Sequence, residues 1–302
     1  MKNTALIIGS HGFLGKHLEC KLKLLGFDIG SWNCKEQSSL NMKSSHTKYE
    51  YIFHCANYFT PGVSSNKYTD AQKNQELNLQ IIDYWKFEQP EAKFITFGSD
   101  ACYDDIENKT EDKYLVGEPI EDYKDYAWSK RILYSRLKES FVNYPLSFYH
   151  FVLITLYGPY FKMEDEHLIH SIIKKIYQAK NTMYIPEFWG DGKQIREITY
   201  IDDVIDNVLN IVFQKETKFM NRPVNLGSNI SYPIEVLVEE VCKLMNYNFS
   251  NVVFNKEKHS GVKKKSLDST FASKNLPDYK ITTLREGLKR TIDYYYLKQR
   301  LK

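Results

Sequence analysis

The sequence predicts an α/β fold with a doubly wound parallel β-sheet and a smaller mixed α/β C-terminal part. Three observations support this prediction. Apolar runs alternate with helical patterns through the first half of the chain, a glycine-rich turn joins the first run to the first helix, and the rhythm changes after Gly158 and Pro159. Parallel strands need a long crossover, usually a helix, so regular alternation favours a parallel sheet covered by helices.

The individual elements follow from hydrophobic periodicity. In the first half, strands are predicted in TALIIG, FDIGSW, YEYIFHCA, KFITFGS and SFYHFVLITLYG, and helices at residues 13 to 25, 71 to 88 and 123 to 141. The second half is predicted to hold a helix at about 165 to 179, a glycine-rich loop in FWGDGKQ, a helix from about 202, a strand in RPVNLGS and helices at 231 to 245 and 283 to 299.

Composition excludes several classes of function. The chain has 302 residues, is 42% hydrophobic and carries a formal charge of only +3, spread along its length, so it can bury a sizeable core and gives no support to nucleic-acid binding. The first apolar run, Ala5 to Ile8, is too short for a signal peptide or a membrane span. Five cysteines without metal-ligand spacing indicate reduced thiols and no metal site. We expect a soluble, cytoplasmic protein.

The turn TALIIGSHGFLGKHL carries the strongest local signal. Gly9, Gly12 and Gly15 lie between the first strand and the first helix, which is the context of a dinucleotide-binding turn. Without side chains, the backbone amides can approach a pyrophosphate at a helix N-terminus. The stretch that we expect to contact the cofactor comprises Gly9, His11, Gly12, Phe13, Leu14 and Gly15. The alternative is a tight turn that only packs closely.

The segment DYAWSKR places a tyrosine and a lysine on one helix face. Tyr126 and Lys130 are four residues apart, and residues at this spacing are neighbours on a helix. A cation beside a phenol favours the phenolate, so we expect the pKa of Tyr126 to be lowered. The alternative is an ordinary aromatic–lysine pair on a solvated helix.

These features, taken in order, resemble a known family. The glycine turn is followed by Ser99 at the end of a predicted strand and then, 27 residues later, by Tyr126 with Lys130. The chain resembles the extended short-chain dehydrogenase/reductase family, also known as the NAD-dependent epimerase/dehydratase family. Further segments resemble GDP-fucose synthase-like sugar-nucleotide reductases: LYGPY, FWGDGKQIREITYIDDVIDNVL, VNLGSNISY, KKKSLDST and LREGLKRTIDYY.

The resemblance implies a Rossmann fold with two interleaved domains. Residues 1–160 plus about 196–228 would form the dinucleotide-binding domain, and residues about 161–195 plus 229–302 would form the sugar-nucleotide substrate domain. The resemblance also implies a homodimer and a role in polysaccharide biosynthesis.

Catalytic roles follow from the same resemblance. Tyr126 would exchange a proton at the sugar, Ser99 would hydrogen-bond the reacting oxygen, and Lys130 would lower the tyrosine pKa and hold the nicotinamide ribose. His167 aligns with the second acid/base residue of GDP-fucose synthase. The alternative for His167 is a histidine on a helix face, or one that only hydrogen-bonds the substrate.

Substrate contacts are expected from a second set of residues. The resemblance places Arg196 on the nucleotide diphosphate, which suits a guanidinium fork, although a structural pair with Asp202 or Asp203 is the alternative. These two aspartates are expected to cap the helix from about 202 and to support the loop before it. The remaining substrate-binding candidates are Asp100, Ala101, Thr155, His167 and Trp189.

One departure from the family pattern changes the expected reaction. GDP-fucose synthase has GSSCIYP where this chain has GSDACYD, so the acid/base cysteine of that family falls on Ala101 and not on Cys102. A methyl group carries no proton. In 4,6-dehydratases the segment is TDE, and their glutamate also falls on Ala101, so dehydration lacks its base. Thr155 replaces a further asparagine of the family. Epimerisation at C3 and C5 is therefore not expected, whereas hydride transfer at C4 needs only Ser99, Tyr126, Lys130 and the cofactor.

The second predicted strand bears on the choice of cofactor. NAD-selective members end this strand with an acidic residue, but DIGSWNCKE offers Ser31, Asn33 and Lys35. With Lys35 and His11 available for a 2′-phosphate, NADP (as NADPH) is favoured. NAD stays possible if Glu36 or Asp28 binds the ribose.

The sequence thus predicts an NADPH-dependent C4 reductase of a GDP-linked 4-keto-6-deoxy sugar, a hexose or a heptose, without C3/C5 epimerisation. The alternatives are a 3,5-epimerase/4-reductase of the GDP-fucose synthase type, a 4-epimerase with tightly bound NAD, and a non-catalytic Rossmann binding protein.

Overall fold

The computed structural model describes residues 3–33, 47–58, 67–144, 146–161, 167–258 and 261–301. The strands are β1 (Thr4–Ile8), β2 (Asp28–Trp32), β3 (Tyr51–His54), β4 (Lys93–Ser99), β5 (Phe148–Leu153), β6 (Leu156–Tyr157), β7 (Glu187–Trp189), β8 (Ile195–Glu197), β9 (Thr199–Tyr200), β10 (Pro223–Leu226), β11 (Ser231–Pro233), β12 (Val253–Asn255) and β13 (Lys264–Lys265). The helices are α1 (Phe13–Leu24), α2 (Lys67–Glu88), α3 (Lys124–Asn143), α4 (Leu168–Asn181), α5 (Ile201–Phe213), α6 (Ile234–Met245), α7 (Thr270–Asn275) and α8 (Leu284–Arg300).

A six-stranded parallel sheet forms the centre of the molecule, in the order β10-β5-β4-β3-β1-β2. Strand β2 lies on one side of β1, and β3, β4, β5 and β10 follow one another on its other side. The carboxyl ends of β1 and β3 therefore lie at a topological switch point, where open α/β sheets bind their ligands. The glycine turn follows β1 at this position.

Both faces of the sheet are buried, as its apolar strands predict. Along β1, Leu6 and Ile8 enter one hydrophobic cluster with α2 and α3, while Ala5 and Ile7 enter another with α1 and α5. This alternation has the period of two that a strand imposes. The predicted doubly wound arrangement is confirmed.

Smaller sheets and a third hydrophobic cluster form the rest of the molecule. The short sheets are β11-β8-β13, β12-β7 and β6-β9. Helices α4, α6 and α8 meet around Ile173, Leu237, Val241 and Leu288, which are fully buried.

Most predicted elements are present, with shifted ends. Helix α2 begins at Lys67, four residues before its predicted start, and the predicted helix at 231–245 divides into β11 and α6. The capping prediction is wrong, because Tyr200 is the N-cap residue of α5 and both aspartates, Asp202 and Asp203, lie in its first turn.

Across the described ranges, no helix is long and apolar enough to cross a membrane.

Candidate active site

The glycine turn is shaped by contacts that exclude larger residues. Gly9 has φ +91°, and a Cβ there would lie 2.6 Å from the backbone nitrogen of Ala56. A Cβ on Gly15 would lie 2.2 Å from the carbonyl oxygen of Gly9. Gly12 is the N-cap residue of α1, whose first turn holds no acidic side chain. The glycines therefore pack closely against backbone, as a purely structural turn would require. The same turn also leads into the N-terminus of α1, which favours binding of an anion.

The carboxyl ends of β1 and β2 carry the residues expected near the adenosine ribose. His11 Nδ1 and Asn33 Nδ2 are 2.8 Å apart. Asp28 pairs with Thr4 at the amino end of β2, so it lies at the far end of the strand from Asn33. Lys35 and Glu36 lie outside the described residues.

Ser99, Tyr126 and Lys130 come together beneath the carboxyl end of β4. Ser99 ends this strand, and its hydroxyl accepts a hydrogen bond from the backbone nitrogen of Ala101 at 3.2 Å. The side chains of Ser99 and Tyr126 share a hydrogen bond. On α3, Lys130 Nζ lies 5.9 Å from the centre of the Tyr126 ring.

The expected lowering of the tyrosine pKa is wrong. Burial raises the pKa of Tyr126 well above its ordinary value, the nearby Cys102 and Asp100 raise it further, and only the hydrogen bond from Ser99 opposes them. Burial also lowers the pKa of Lys130 to about 8. The prediction considered only the attraction between the two charged forms, whereas the cost of desolvating them is larger here. Tyr126 therefore holds its proton at neutral pH, which suits a proton donor.

A buried cluster of charged groups lies beside Ser99, and the sequence analysis assigned no role to two of its members. Asp100 is 2% exposed, and its Oδ2 lies 3.4 Å from Lys265 Nζ. Lys109 is also 2% exposed, has no hydrogen-bond partner for Nζ among the described groups, and has its pKa lowered by burial although Asp100 opposes that shift. Lys265 Nζ lies 4.9 Å from the centre of the Tyr123 ring. The segment KKKSLDST contributed to the resemblance, but nothing in it indicated that Lys265 contacts a residue 165 positions earlier.

Arg196 faces the same cluster from β8. Burial lowers the pKa of its guanidinium, whereas Tyr123 and Asp100 act to raise it. The two aspartates considered as its structural partners bind elsewhere: Asp202 Oδ1 lies 2.8 Å from His17 Nδ1, and Asp203 Oδ1 accepts from the Thr282 hydroxyl at 2.7 Å.

Glu197, the next residue along β8, joins two further segments. It is fully buried and accepts hydrogen bonds from the backbone nitrogens of Asn229 at 2.9 Å and Leu267 at 2.8 Å. Burial raises its pKa to about 7. Glu197 thus ties β8 to the segment that carries Lys265.

The position expected for a second acid holds no proton donor. Ala101 is 2% exposed. The neighbouring Cys102 is fully buried in the core, where its thiol donates to Ala127 O at 3.6 Å and accepts from the Tyr114 hydroxyl at 3.3 Å. Burial raises the pKa of this thiol to about 11. The Cys102 thiol is therefore held in the core in its protonated form.

The remaining candidates lie around this centre on separate elements. His167 is the exposed N-cap residue of α4, with its ring 6.4 Å from that of the buried His170. Trp189 ends β7 and is 58% exposed. The carbonyl of Thr155, between β5 and β6, accepts from the backbone nitrogen of Thr199 at 2.9 Å. Within the described ranges, no group of three or more His, Cys, Asp or Glu side chains could hold a metal ion.

Known proteins are similar to this chain in sequence and in fold. The chain is 27% identical to the GDP-L-colitose synthase of Yersinia pseudotuberculosis over 308 residues, covering 96% of this chain and 97% of that protein. A GDP-L-fucose synthetase from Naegleria fowleri bound to NADP superposes with a TM-score of 0.83 at 22% identity, covering 99% of this chain and 94% of the other. A GDP-6-OMe-4-keto-L-xylo-heptose reductase from C. jejuni also gives 0.83, at 20% identity, with 99% of both chains covered.

The family model for the NAD dependent epimerase/dehydratase family matches residues 5–227, most of the chain. This match confirms the predicted family, the Rossmann fold and an NAD(P)-dependent enzyme of this type. The span runs from β1 through the glycine turn, Ser99, Tyr126 and Lys130 to β10, so it includes the three residues predicted to carry the reduction. The chain therefore belongs to the NAD dependent epimerase/dehydratase family.

Proposed function

We propose that this protein is an NADPH-dependent C4 reductase of a GDP-linked 4-keto-6-deoxy sugar, a hexose or a heptose, and that it does not epimerise C3 or C5. The observation that carries the proposal is the assembly of Ser99, Tyr126 and Lys130 next to a buried alanine, Ala101, at the position of the second acid. Reduction at C4 needs only Ser99, Tyr126, Lys130 and the cofactor.

The cofactor fits the glycine turn. A Cβ at Gly9 or Gly15 would collide with backbone atoms, so only glycine permits this tight turn directly in front of α1. When bound, NADPH supplies a hydride to C4 of the sugar. Arg196 and Lys265 are paired on neighbouring strands, and Lys265 lies 3.4 Å from Asp100, the residue after Ser99, so these two cations suit the diphosphate of the substrate.

The reaction proceeds through proton donation by Tyr126. As C4 is reduced, its oxygen gains negative charge and takes the phenolic proton. Ser99 shares a hydrogen bond with Tyr126 and can donate to the same oxygen, which orients the ketone. The Lys130 ammonium, close to the ring, then stabilises the phenolate that forms.

The alanine at the position of the second acid supports a reaction without epimerisation. Inverting a carbon generally needs an acid and a base on opposite faces of the ring. Cys102 is held in the core and Asp100 is paired with Lys265, which leaves His167 alone. Because His167 is retained, a 3,5-epimerase/4-reductase activity is the second candidate function.

Three features support the choice of NADPH and a GDP-linked sugar. The His11 ring, in the glycine turn, lies 2.8 Å from the side-chain amide of Asn33, the residue that follows β2. The Naegleria fowleri structure is described as bound to NADP. GDP-sugars appear in the names of the similar proteins, including the heptose reductase.

The surrounding organisation forms part of the same proposal. The third hydrophobic cluster supports a separate substrate domain, although it also includes Tyr157, Ile198 and Tyr200, which the predicted boundaries assign to the dinucleotide-binding domain. Exposed apolar side chains on α2 and α3, namely Leu79, Phe87, Phe141 and Val142, support a homodimer. A cytoplasmic location is consistent with free thiols at Cys20, Cys55, Cys102 and Cys242.

The test is incubation with a panel of 4-keto sugar nucleotides and NADPH in deuterated water, followed by mass spectrometry and NMR. We expect consumption of NADPH with a GDP-linked substrate and a product without deuterium at C3 and C5. His167→Ala should weaken binding without abolishing reduction. Deuterium at C3 or C5, absent from an enzyme-free control, would establish the second candidate. Purified protein that already absorbs at the reduced-nicotinamide band, and consumes no NADPH, would indicate a 4-epimerase.

A further inference from the structure

A cavity of about 470 Å³ lies at the start of β8 and β13. Its lining includes four lysines, Lys193, Lys256, Lys263 and Lys264, and a single acidic residue, Asp191. We call this cavity the four-lysine pocket. Ligand sites for small molecules commonly have volumes of about 300–1,000 Å³, so it can hold a ligand of nucleotide size.

The four-lysine pocket lies apart from the charged cluster around Asp100. Lys264 pairs with Ile195 across β13 and β8, and Lys265 pairs with Arg196. Successive side chains of a strand point to opposite faces. Because Arg196 and Lys265 face Asp100, Lys264 and Ile195 face away from it, and these two residues line the pocket.

Among the described residues that line the pocket, positive charge exceeds negative charge. All four lysines are exposed, and in the described part of the chain none of their ammonium groups pairs with a carboxylate. Asp191 directs Oδ1 to the backbone nitrogen of Lys193 at 2.9 Å. Ammonium groups bind phosphate as compact point charges, and several around one cavity concentrate anions there.

A second polar feature belongs to the same cavity. Gln194 lines it, is only 7% exposed, and its Oε1 is buried with no hydrogen-bond partner among the described groups. Buried acceptors are normally satisfied, so this oxygen calls for a hydroxyl or amine donor. Phosphate alone has no need of such an acceptor, whereas the ribose or base of a nucleotide supplies donors.

We propose that the four-lysine pocket is a second binding site, separate from the catalytic centre, for a nucleoside diphosphate or a ligand of the same chemistry. The lysines hold the two phosphates and Gln194 accepts a hydrogen bond from the nucleoside. The site does not depend on the proposed reductase function.

The proposal is tested by calorimetric titration of the NADPH-saturated protein, using GDP, pyrophosphate and inorganic phosphate as probes. Arg196→Gln is introduced first, so that binding on the Asp100 side is weakened while every residue that lines the pocket is kept. We expect one equivalent of GDP to bind this variant, and to bind more weakly as salt is raised. Adding Lys256→Gln and Lys264→Gln should weaken GDP at least roughly tenfold.

A charge-matched control uses Lys174→Gln with Lys289→Gln, two exposed lysines on α4 and α8. It should leave GDP affinity within about twofold. Gln194→Met should weaken GDP but not pyrophosphate, and retained pyrophosphate binding shows that this variant is folded. Equal GDP affinity in the pocket and control variants, or no GDP binding once Arg196 is replaced, would overturn the proposal. Neither result bears on reductase activity, which is measured separately with the 4-keto substrate.

Discussion

The glycine turn and the charged cluster around Asp100 flank the same catalytic residues but are built in different ways. The turn consists of seven consecutive residues, Gly9 to Gly15, and its shape depends on backbone packing. The cluster joins Asp100, Lys109, Arg196 and Lys265 from four separate segments, and its geometry depends on side-chain charges. The comparison shows that a site can be recognised from sequence where it is local, and is found only in part where it is assembled by the fold: Asp100 and Arg196 were predicted, whereas Lys109 and Lys265 were not.

The largest effect is expected in the turn. Gly15→Ala places a Cβ 2.2 Å from the carbonyl oxygen of Gly9, which is backbone and cannot rotate away. We expect loss of measurable NADPH binding and a lower midpoint of thermal unfolding. Gly26→Ala is the control, since nothing lies within 4 Å of its Cβ and only its φ of +80° is strained. If Gly15→Ala binds NADPH as the control does, the turn is not the cofactor site.

The catalytic residues between the two regions should give the next largest effect. Tyr126→Phe removes the proton donor but keeps the ring, so turnover should fall by roughly 10²–10⁴-fold while NADPH affinity changes little. Steady-state kinetics and fluorescence titration measure the two quantities. Ser99→Ala should behave in the same way with a smaller loss. An unchanged turnover number for the phenylalanine variant contradicts the assignment.

In the charged cluster, the effects of replacing Lys265 and Asp100 on the free energy of unfolding should depend on each other. Lys265→Met leaves the Asp100 carboxylate buried with its nearest cation removed, which typically costs about 3–5 kcal/mol of unfolding free energy. Adding Asp100→Asn should restore much of this loss, because the amide needs no counter-charge. Denaturant unfolding of the four proteins in the cycle gives the coupling energy. Additive losses would show that the two side chains act independently.

The pH dependence of stability should depend on Glu197. Burial raises its folded pKa to about 7, above the ordinary value of 4.5. Between these values the folded protein binds more protons than the unfolded chain, so this residue lowers stability as pH rises from about 4.5 to 7. Relative to the Glu197→Gln variant, the natural protein should lose roughly 1–3 kcal/mol of unfolding free energy between pH 4.5 and 7. If the unfolding free energies of the two proteins change equally with pH, the raised pKa of Glu197 is contradicted.

The smallest effect is expected at the adenosine end of the turn. If His11 contacts a 2′-phosphate, His11→Gln should weaken NADPH by a few fold, about 1 kcal/mol, and leave NADH unchanged. Raising salt should narrow the preference of the natural protein for NADPH. An equal loss for both cofactors would place His11 away from the 2′ position.

The sequence by itself determined the fold class, the glycine turn and the Tyr126–Lys130 pair, because each depends on residues that are close along the chain. Hydrophobic periodicity predicted both buried faces of the sheet, and the glycine spacing predicted the turn after β1. Helix ends were less well determined, as at Lys67 and at β11, since local propensity is weak beside packing.

Only the tertiary structure decided the electrostatics of the catalytic centre. The spacing of Tyr126 and Lys130 predicted their proximity, but the depth of burial reversed the expected direction of the tyrosine pKa. Other contacts likewise join residues that are distant in sequence. Lys265 pairs with Asp100, the Cys102 thiol donates to the carbonyl of Ala127, and Glu197 accepts a hydrogen bond from the backbone nitrogen of Leu267. Desolvation and long-range contacts depend on the whole fold, and no spacing within a short segment reports them.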